Sequence, residues 1–598
     1  MLMVSENTSK GKLYLRNKPI LARINKLSDL QASIIIAVVG LVTFFSGLTN
    51  PFQGDDLNQI VSNTPVHSIS HIKLFFTGGT FAAAKGSTKL VGSYYRPLMT
   101  TVFSLLYTVF GPHPLYFHLF QLLLCIASAC FLYSLFRYSF KAGLSLFLAL
   151  IFLVHPMDSQ VVFNIPNMQD ALYFLFGIVA VWLLVRYDST KVLFLVAFLL
   201  LLSLLSKETG ILFVFISIAF IFWDNKKRLL PFLGIMVLPI AVWLLLKIHA
   251  VGLNAKPRSS PIDLLSLKDR LLTAPSLMQF YLTKFVFPWK LSSAYFWTYP
   301  NFSFAHFVIP LLIDLTILGV IVYAAMQIRK YAPRSQYVTF LFFSVWLILG
   351  IAINLQIIPL DMTASETWFY VPMAGLLGMI GVVLKNFGSK LHIDTNVALI
   401  LVTVLILVFG VRCALRGTDG RTAEKLAYAD LTASKQDYLA DDLIATDLQD
   451  QGHYAKSLPY AQQSIRVYPD GLSYCTLGVD YDGLGNFTQA QQSYLKGLTY
   501  PAYTQAEQLL YENSARLMLW MGDPTNDAQF MKNGLTLFPR DSTLWLDLAI
   551  LQYTHSDQTA GKQDILQAYN INPDAQIAAV LKIMLANQKL LLGPLRPL

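Results

Sequence analysis

The sequence predicts an all-α protein in two parts, a polytopic membrane domain followed by a stack of short helices, and three observations carry that reading. Of 598 residues, 55% are hydrophobic and 13% charged, and the chain repeatedly runs about 20 residues without a charge, the length a helix needs to cross a bilayer. Charge is unevenly divided: residues 1–415 carry 31 Lys and Arg against 15 Asp and Glu, net +16, whereas residues 416–598 carry 14 against 20, net −6. Beyond about residue 430 the apolar runs stop, and polar sequence rich in Ala, Gln and Tyr recurs with an offset of 32 to 33 residues.

Residues 1–30 form a basic leader with Lys10, Lys12, Arg16, Lys18, Arg23 and Lys26. The first apolar segment begins near Gln31 and lacks a small-residue cleavage site, so it is expected to remain as a membrane helix. Apolar segments lie near 31–49, 115–136, 143–155, 169–186, 191–205, 208–223, 229–249, 305–327, 337–357, 368–385 and 395–415. Basic clusters at Arg137/Lys141, Arg186/Lys191, Lys226/Lys227/Arg228, Arg329/Lys330/Arg334 and Lys385/Lys390 fall at every second loop. Basic loops stay cytoplasmic, so eleven crossings put the N-terminus inside and the C-terminal part outside. Residues 96–111 and 271–288 are expected to lie against the outer face; if both crossed, the count would be 13. The membrane domain is 31–415, with 416–429 as a linker. The outer face then collects Asp55, Asp56, Arg96, His155, Asp170, Lys207, Glu208, Asp361 and Glu366.

In the second part, residues 430–598, Gly452-x-Tyr454 recurs as Gly485-x-Phe487, Ala461 matches Tyr494, and Pro469 matches Pro501. With Leu477-Gly478-x-x-Tyr481, the pattern reads as tetratricopeptide repeats, whose period is roughly 34 residues. Pro539 and Pro573 mark two more degenerate repeats, and 574–590 reads as a capping helix. Stacked pairs of this kind present a concave groove to a peptide or protein partner.

Several chemistries are excluded. Cys125, Cys130, Cys413 and Cys475 have no disulfide or metal-ligand spacing. No dinucleotide fingerprint or His-Glu-x-x-His motif occurs, and "AAAKGST" at 82–88 lacks the glycine before Lys85 that a phosphate-cradling loop needs. The basic excess belongs to the membrane half, where it orients helices, so nucleic acid is not an expected partner. Asp480-x-Asp482 sits within a repeat helix and reads as a solvated face.

The adjacent carboxylates Asp55 and Asp56 stand directly after the first apolar segment, where charge is costly unless it meets water, a partner or a substrate. A helix N-cap is the bland alternative. With "SYYRPL" at 93–98, "VHP" at 154–156, Asp170, "SKE" at 206–208, "FPWKLS" at 287–292 and "IIPLDMTASETWFYVP" at 357–372, the order and spacing resemble the transmembrane-and-tetratricopeptide O-mannosyltransferases of the GT-C glycosyltransferase class. The resemblance covers roughly residues 30–390 plus the repeats. It implies an inverting transfer of mannose or a similar sugar from a polyprenyl-phosphate carrier to a Ser or Thr hydroxyl of an exported protein. It further implies Asp55 as general base, Asp56 holding the acceptor or a divalent cation, Arg96 and Lys207 on the donor phosphate, and Tyr95, His155, Asp170, Glu208 and Glu366 in support. The family tends to carry Arg where this chain has Met168 and Thr367. Lys256, Arg258, Lys268 and Arg270 are available as replacement phosphate contacts. The short repeat array points to a prokaryotic plasma membrane, with the endoplasmic reticulum as the eukaryotic counterpart. An oligosaccharide ligase of the O-antigen type also combines many helices with such repeats, but the acidic pair in the first outer loop argues against it. A non-catalytic membrane scaffold is the reading in which that pair could be changed without consequence.

Overall fold

Every expected apolar segment folds as a helix. The computed structural model describes residues 19–82, 90–252, 260–391, 394–500, 504–521 and 524–590. The leader residues Lys10, Lys12, Arg16 and Lys18, together with Lys85, Lys256, Arg258 and Pro501, lie outside the described residues.

Among the described residues eight helices are long and apolar enough to cross a membrane: Asp29–Gly47, Pro114–Arg137, Ile165–Arg186, Lys226–Val251, Phe304–Tyr331, Arg334–Ala352, Glu366–Phe387 and Thr395–Asp419. A ninth arises if Ala142–Val154 and Pro156–Phe163, bent by 46° at His155, count as one span. The expected eleven to thirteen crossings therefore exceed what length and composition support among the described residues. The shortfall lies in Thr190–Ser206 and Ile211–Asp224, of 17 and 14 residues, which at 1.5 Å per residue reach only about 21 to 26 Å against a core of about 30 Å. Thr190–Ser206 nevertheless packs along the whole length of its neighbour. Lys207 at its end meets Asp170 at 2.7 Å, and at the opposite end Asp188 meets Arg228 at 3.2 Å. Residues 96–111 and 271–288 fall in the further helices Pro97–Phe110 and Leu267–Val286.

The first and last membrane helices run in the same direction, because their C-terminal ends are tied together. Ser46 donates to the Ala414 carbonyl at 2.7 Å, and the Asn50 and Gln53 side-chain amides donate to the carbonyls of Gly417 and Gly420 at 3.0 and 3.3 Å. The carbonyls of Gly417 and Gly420 are among those that a helix leaves unpaired at its C-terminus. At the other end, Tyr133 donates to Asp29 at 3.2 Å, Asn25 accepts from the Gly143 amide at 3.0 Å, and Lys385 donates to the Ser139 carbonyl at 2.7 Å.

The chain divides into compact units at residues 1–434 and 435–598. The segment 416–429, expected as a linker, is structured instead: Thr395–Asp419 runs into it, Ala423–Ala433 follows, and buried Arg416 meets Asp430 at 2.5 Å. A buried cation holds its carboxylate in place, so the break falls later.

The second unit stacks the helix pairs Tyr438–Asp450/Tyr454–Val467, Gly471–Gly483/Phe487–Gly497, Thr504–Met521/Pro524–Leu537 and Ser542–His555/Gln558–Ile571, with Ala575–Leu585 after them. The repeated glycines close the first helix of two pairs. Gly452 and Gly485 sit at φ 73° and 77°, and the amides of His453 and Asn486 return to the carbonyls of Leu448 and Tyr481 at 2.7 and 2.8 Å, which is the Schellman closure. The Gly478 signature has a packing cause: a Cβ there would stand 2.2 Å from the Tyr494 ring. One repeat earlier the same two places hold Ala445 and Ala461, both fully buried. Gly478→Ala is therefore expected to destabilise the chain by about 1–3 kcal/mol through overpacking. Combining it with Tyr494→Ala should cost less than the two single changes added together, as read by thermal melting of the purified protein.

Candidate active site

The tied helix ends deliver the acidic pair. Gly54 turns the chain at φ 55°, and Asp55 and Asp56 open a π-helical turn, Leu57–Val61. The two carboxylates face different environments. Asp55 is exposed and accepts from the Gln59 amide at 3.5 Å, whereas Asp56 is 3% exposed and accepts from the Gln53 backbone N–H at 3.1 Å. Burial pushes the Asp56 carboxyl up to about 8; the Gln53 N–H opposes that rise and the Asp55 charge adds to it.

The "SYYRPL" segment brings Tyr94 within electrostatic reach of Asp55. The Arg96 guanidinium lies 4.1 Å from the centre of the Tyr94 ring, and the Tyr94 hydroxyl donates to Asp361. Burial raises the Tyr94 phenol well above its usual range, and the Asp361 charge adds to this; the Arg96 charge works against it, and Asp55 is close enough to raise it further. One ring thus sits among Asp55, Arg96 and Asp361. Tyr95 points the other way, fully buried, its hydroxyl donating to the Phe76 carbonyl at 3.3 Å and its N–H to Glu208 at 3.5 Å. Glu208 also meets Lys247 at 3.4 Å. Burial opposes its charge, but Arg96 and Lys247 outweigh that and hold the carboxyl below its usual value. Among the described residues the buried Arg96 Nε has no acceptor.

The remaining expected residues lie at the same end of the helices in different roles. Lys207, expected on a donor phosphate, is 12% exposed and held by both Asp170 oxygens at 2.7 and 3.0 Å. Its charge is already met, so it pins two helices together. His155 uses both ring nitrogens on backbone, accepting from the Met157 N–H at 3.3 Å and donating to the Phe285 carbonyl at 2.9 Å, with its ring stacked on Phe285. It shapes the bend before Pro156 and is not placed to carry a proton. Glu366 accepts from Tyr295 at 2.5 Å and from the Ser292 N–H at 3.1 Å, with Lys284 at 3.8 Å. Arg270 spends its guanidinium on the carbonyls of Gln356, Leu265 and Ile357, and so is not a replacement phosphate contact. Met168 is buried in the apolar cluster beneath the first loop, and Thr367 bonds Ser365 at 3.0 Å. Among the described residues no group of three or more His, Cys, Asp or Glu could hold a metal ion.

Sequence reasoning missed Lys247 as a member of the cluster and Asp158, whose two buried carboxylate oxygens have no partner among the described residues. A signal existed for Lys247: a lone cation near the end of a 23-residue apolar helix is a functional candidate by default.

These features define a polytopic, all-α membrane protein with a charged cluster at one end of its bundle and a separate unit of stacked helix pairs. No protein-family model matches the chain. Its sequence is similar to protein O-mannosyl-transferases over most of its length. It is 20% identical to human protein O-mannosyl-transferase TMTC3 over 644 residues, covering 92% of this chain and 69% of that protein. With the Caenorhabditis elegans protein O-mannosyl-transferase F38B6.6 it shares 25% identity over 219 residues, 35% of this chain and 30% of the relative. An Archaeoglobus fulgidus oligosaccharyltransferase in its apo form aligns over 72% of this chain and 59% of its own with 14% identity and a TM-score of 0.35, a likeness too loose to define the fold.

The Asp56 environment sets a pH dependence. In the unfolded chain its carboxyl ionises near 3.8, in the folded protein near 8, so the folded state holds the extra proton between those values. Stability from this group is present at low pH and lost as pH rises through 8. Asp56→Asn, which cannot ionise, should melt increasingly above the parent protein as pH is raised from about 6 to about 9.

Proposed function

We propose that the protein is a membrane glycosyltransferase that moves mannose or a similar sugar from a polyprenyl-phosphate carrier to a hydroxyl of an exported protein. The observation that carries this reading is the division of the acidic pair, with exposed Asp55 sharing Tyr94 with Arg96 while Asp56 turns inward. The O-mannosyl-transferase relatives add the reaction class.

Asp55 is the general base. The acceptor O–H gives its proton to the carboxylate as its oxygen bonds the anomeric carbon, and the bond from that carbon to the carrier's phosphate oxygen breaks. Attack opposite the leaving group inverts the centre, and the phosphate leaves with the bonding pair. Arg96 meets that phosphate: its guanidinium is fixed by the Tyr94 face, and its fork matches phosphate oxygens in pairs. Lys247 takes the second phosphate contact expected of Lys207, since Glu208 holds it by one oxygen at 3.4 Å whereas both Asp170 oxygens hold Lys207 at 2.7 and 3.0 Å. Asp56 stays protonated and inward, fixing the turn that presents Asp55. The repeat unit recruits the acceptor, because stacked helix pairs offer a groove for peptides.

The N-terminus is cytoplasmic and residues 435–598 are exoplasmic. The parallel first and last helices support this, because two parallel spans leave the chain before the first and after the last on opposite sides. The basic loops set the direction. Cys475 is buried, so the test uses Lys456→Cys at an exposed site. An impermeant thiol reagent should label it in intact cells; labelling only after lysis would reverse the orientation.

For the chemistry, Asp55→Asn should lower transfer from a polyprenyl-phosphate sugar about 100- to 10,000-fold while donor binding persists. Arg96→Lys keeps the charge and loses the paired geometry, so donor affinity should fall. Full turnover in Asp55→Asn, or preference for a soluble nucleotide sugar, would remove this reading.

A further inference from the structure

A second place in the membrane unit has the chemistry of a lipid phosphate site, away from Asp55 and Arg96. The segment 286–289, at the end of Leu267–Val286, lies against the last membrane helix and leaves a groove of about 340 Å³ lined by Pro156, Val286, Phe287, Trp289, Phe409 and Arg412, among others. Phe287 and Trp289 are 72% and 66% exposed, and Leu405 and Val408 on the helix are exposed too. The groove is thus an apolar slot on the lipid-facing side of a helix that is mostly unburied, with two prolines and three aromatic rings fixing its walls.

Its head is cationic. The Arg412 Nε donates to the Trp289 carbonyl at 3.0 Å, which fixes the plane of the guanidinium and leaves its terminal nitrogens with no acceptor among the described residues. Lys290 follows Trp289 directly and is exposed. Neither Arg412 nor Lys290 has a carboxylate within 4.0 Å among the described residues, whereas the neighbouring cations are met: Arg416 by Asp430 at 2.5 Å and Lys284 by Glu366 at 3.8 Å. Arg412 stands at the head of the slot, and Lys290, the residue after the carbonyl that Arg412 holds, brings a second positive charge beside it without lining the slot itself.

We infer that this groove binds the discharged carrier, a polyprenyl monophosphate, with its isoprenoid chain in the slot and its phosphate on Arg412 and Lys290. The inference rests on the proposed use of a polyprenyl-phosphate donor. Charge selects the occupant. A phosphomonoester carries about two negative charges above its second pKa of about 6, which matches the two cations, whereas a sugar-loaded carrier or an ordinary phospholipid is a diester with one. Transfer converts the diester into the monoester, so the site would hold the product once it has left Arg96.

The test uses the full chain in nanodiscs, with farnesyl phosphate as the discharged probe, farnesyl phosphate mannose as the loaded one, and phosphatidylglycerol and inorganic phosphate as competitors. Farnesyl phosphate should bind more tightly at pH of about 7.5 than at about 5, as the second charge forms. The double change Arg412→Gln with Lys290→Gln should weaken it roughly tenfold to a hundredfold, with unaltered melting and unaltered binding of the loaded probe. Phe287→Ser should also weaken it, since the slot holds the chain. Displacement by phosphatidylglycerol at equal concentration would make this an ordinary anionic-lipid site and overturn the inference, as would unchanged affinity in the double variant or equal competition by inorganic phosphate. Failure of the parent protein to bind the loaded probe at all would instead strike the proposed donor, a separate outcome.

Discussion

The architecture of the first unit depends on how one helix end is satisfied. The last carbonyls of Thr395–Asp419 and its cap have no partners within their own helix, and the chain meets those of Gly417 and Gly420 with the side chains of Asn50 and Gln53, over 360 positions away in sequence, while Ser46 adds a bond to the Ala414 carbonyl one turn earlier. Asn50 works in two directions: its amide holds the Gly417 carbonyl, and its own carbonyl meets the His118 ring at 3.2 Å. Three helices are thereby fixed at one level, and the next residues in the chain are Gly54, Asp55 and Asp56. The acidic pair is placed by a hydrogen-bonding requirement that has nothing to do with its chemistry.

The same end of the bundle shows how a membrane protein tolerates many charges in a small region. Lys207 is matched by Asp170, Glu208 by Lys247, and Arg416 by Asp430 and Asp419. Such pairs repay desolvation only when geometry is good and the remaining donors and acceptors are met. They lock the helices in register, and they leave Arg96 aligned on Tyr94. Arginine suits that place because a guanidinium stacks on a ring and still offers its edge to a phosphate.

Much of this was legible in the sequence. Apolar runs located every membrane helix, and the Gly452 and Gly485 offset located the turns of two repeats, because a left-handed C-terminal position is a local requirement that glycine meets. The cluster around Asp55 was partly legible: the pair and the Tyr94–Arg96 segment stood out as polar groups at a membrane boundary. Partner choice was not. Whether Lys207 faces a substrate or Asp170 depends on which helices become neighbours, and spacing along one chain carries no record of that. The boundary after Ser434 was hidden for the same reason, since the Arg416–Asp430 pair that extends the first unit joins residues with no local signal of contact. The span count was overstated because an apolar run does not fix helix length: Thr190–Ser206 ends at 17 residues, where Lys207 turns to Asp170.

Native interiors leave few buried polar atoms without partners, and each exception calls for a cause. Among the described residues such atoms occur in both units, from Arg137 and Arg228 at the other end of the bundle to Asp441, Asp480 and Asp547 in the repeats, so their presence alone marks no site. The charged end of the bundle holds its share, the Arg96 Nε, one oxygen of Asp56, one of Glu366 and both of Asp158, and there they accompany the exposed Asp55 carboxylate. It is that coincidence of open donors and acceptors with an accessible carboxylate, framed by paired charges that hold the backbone fixed, that suits the region to polar ligand groups.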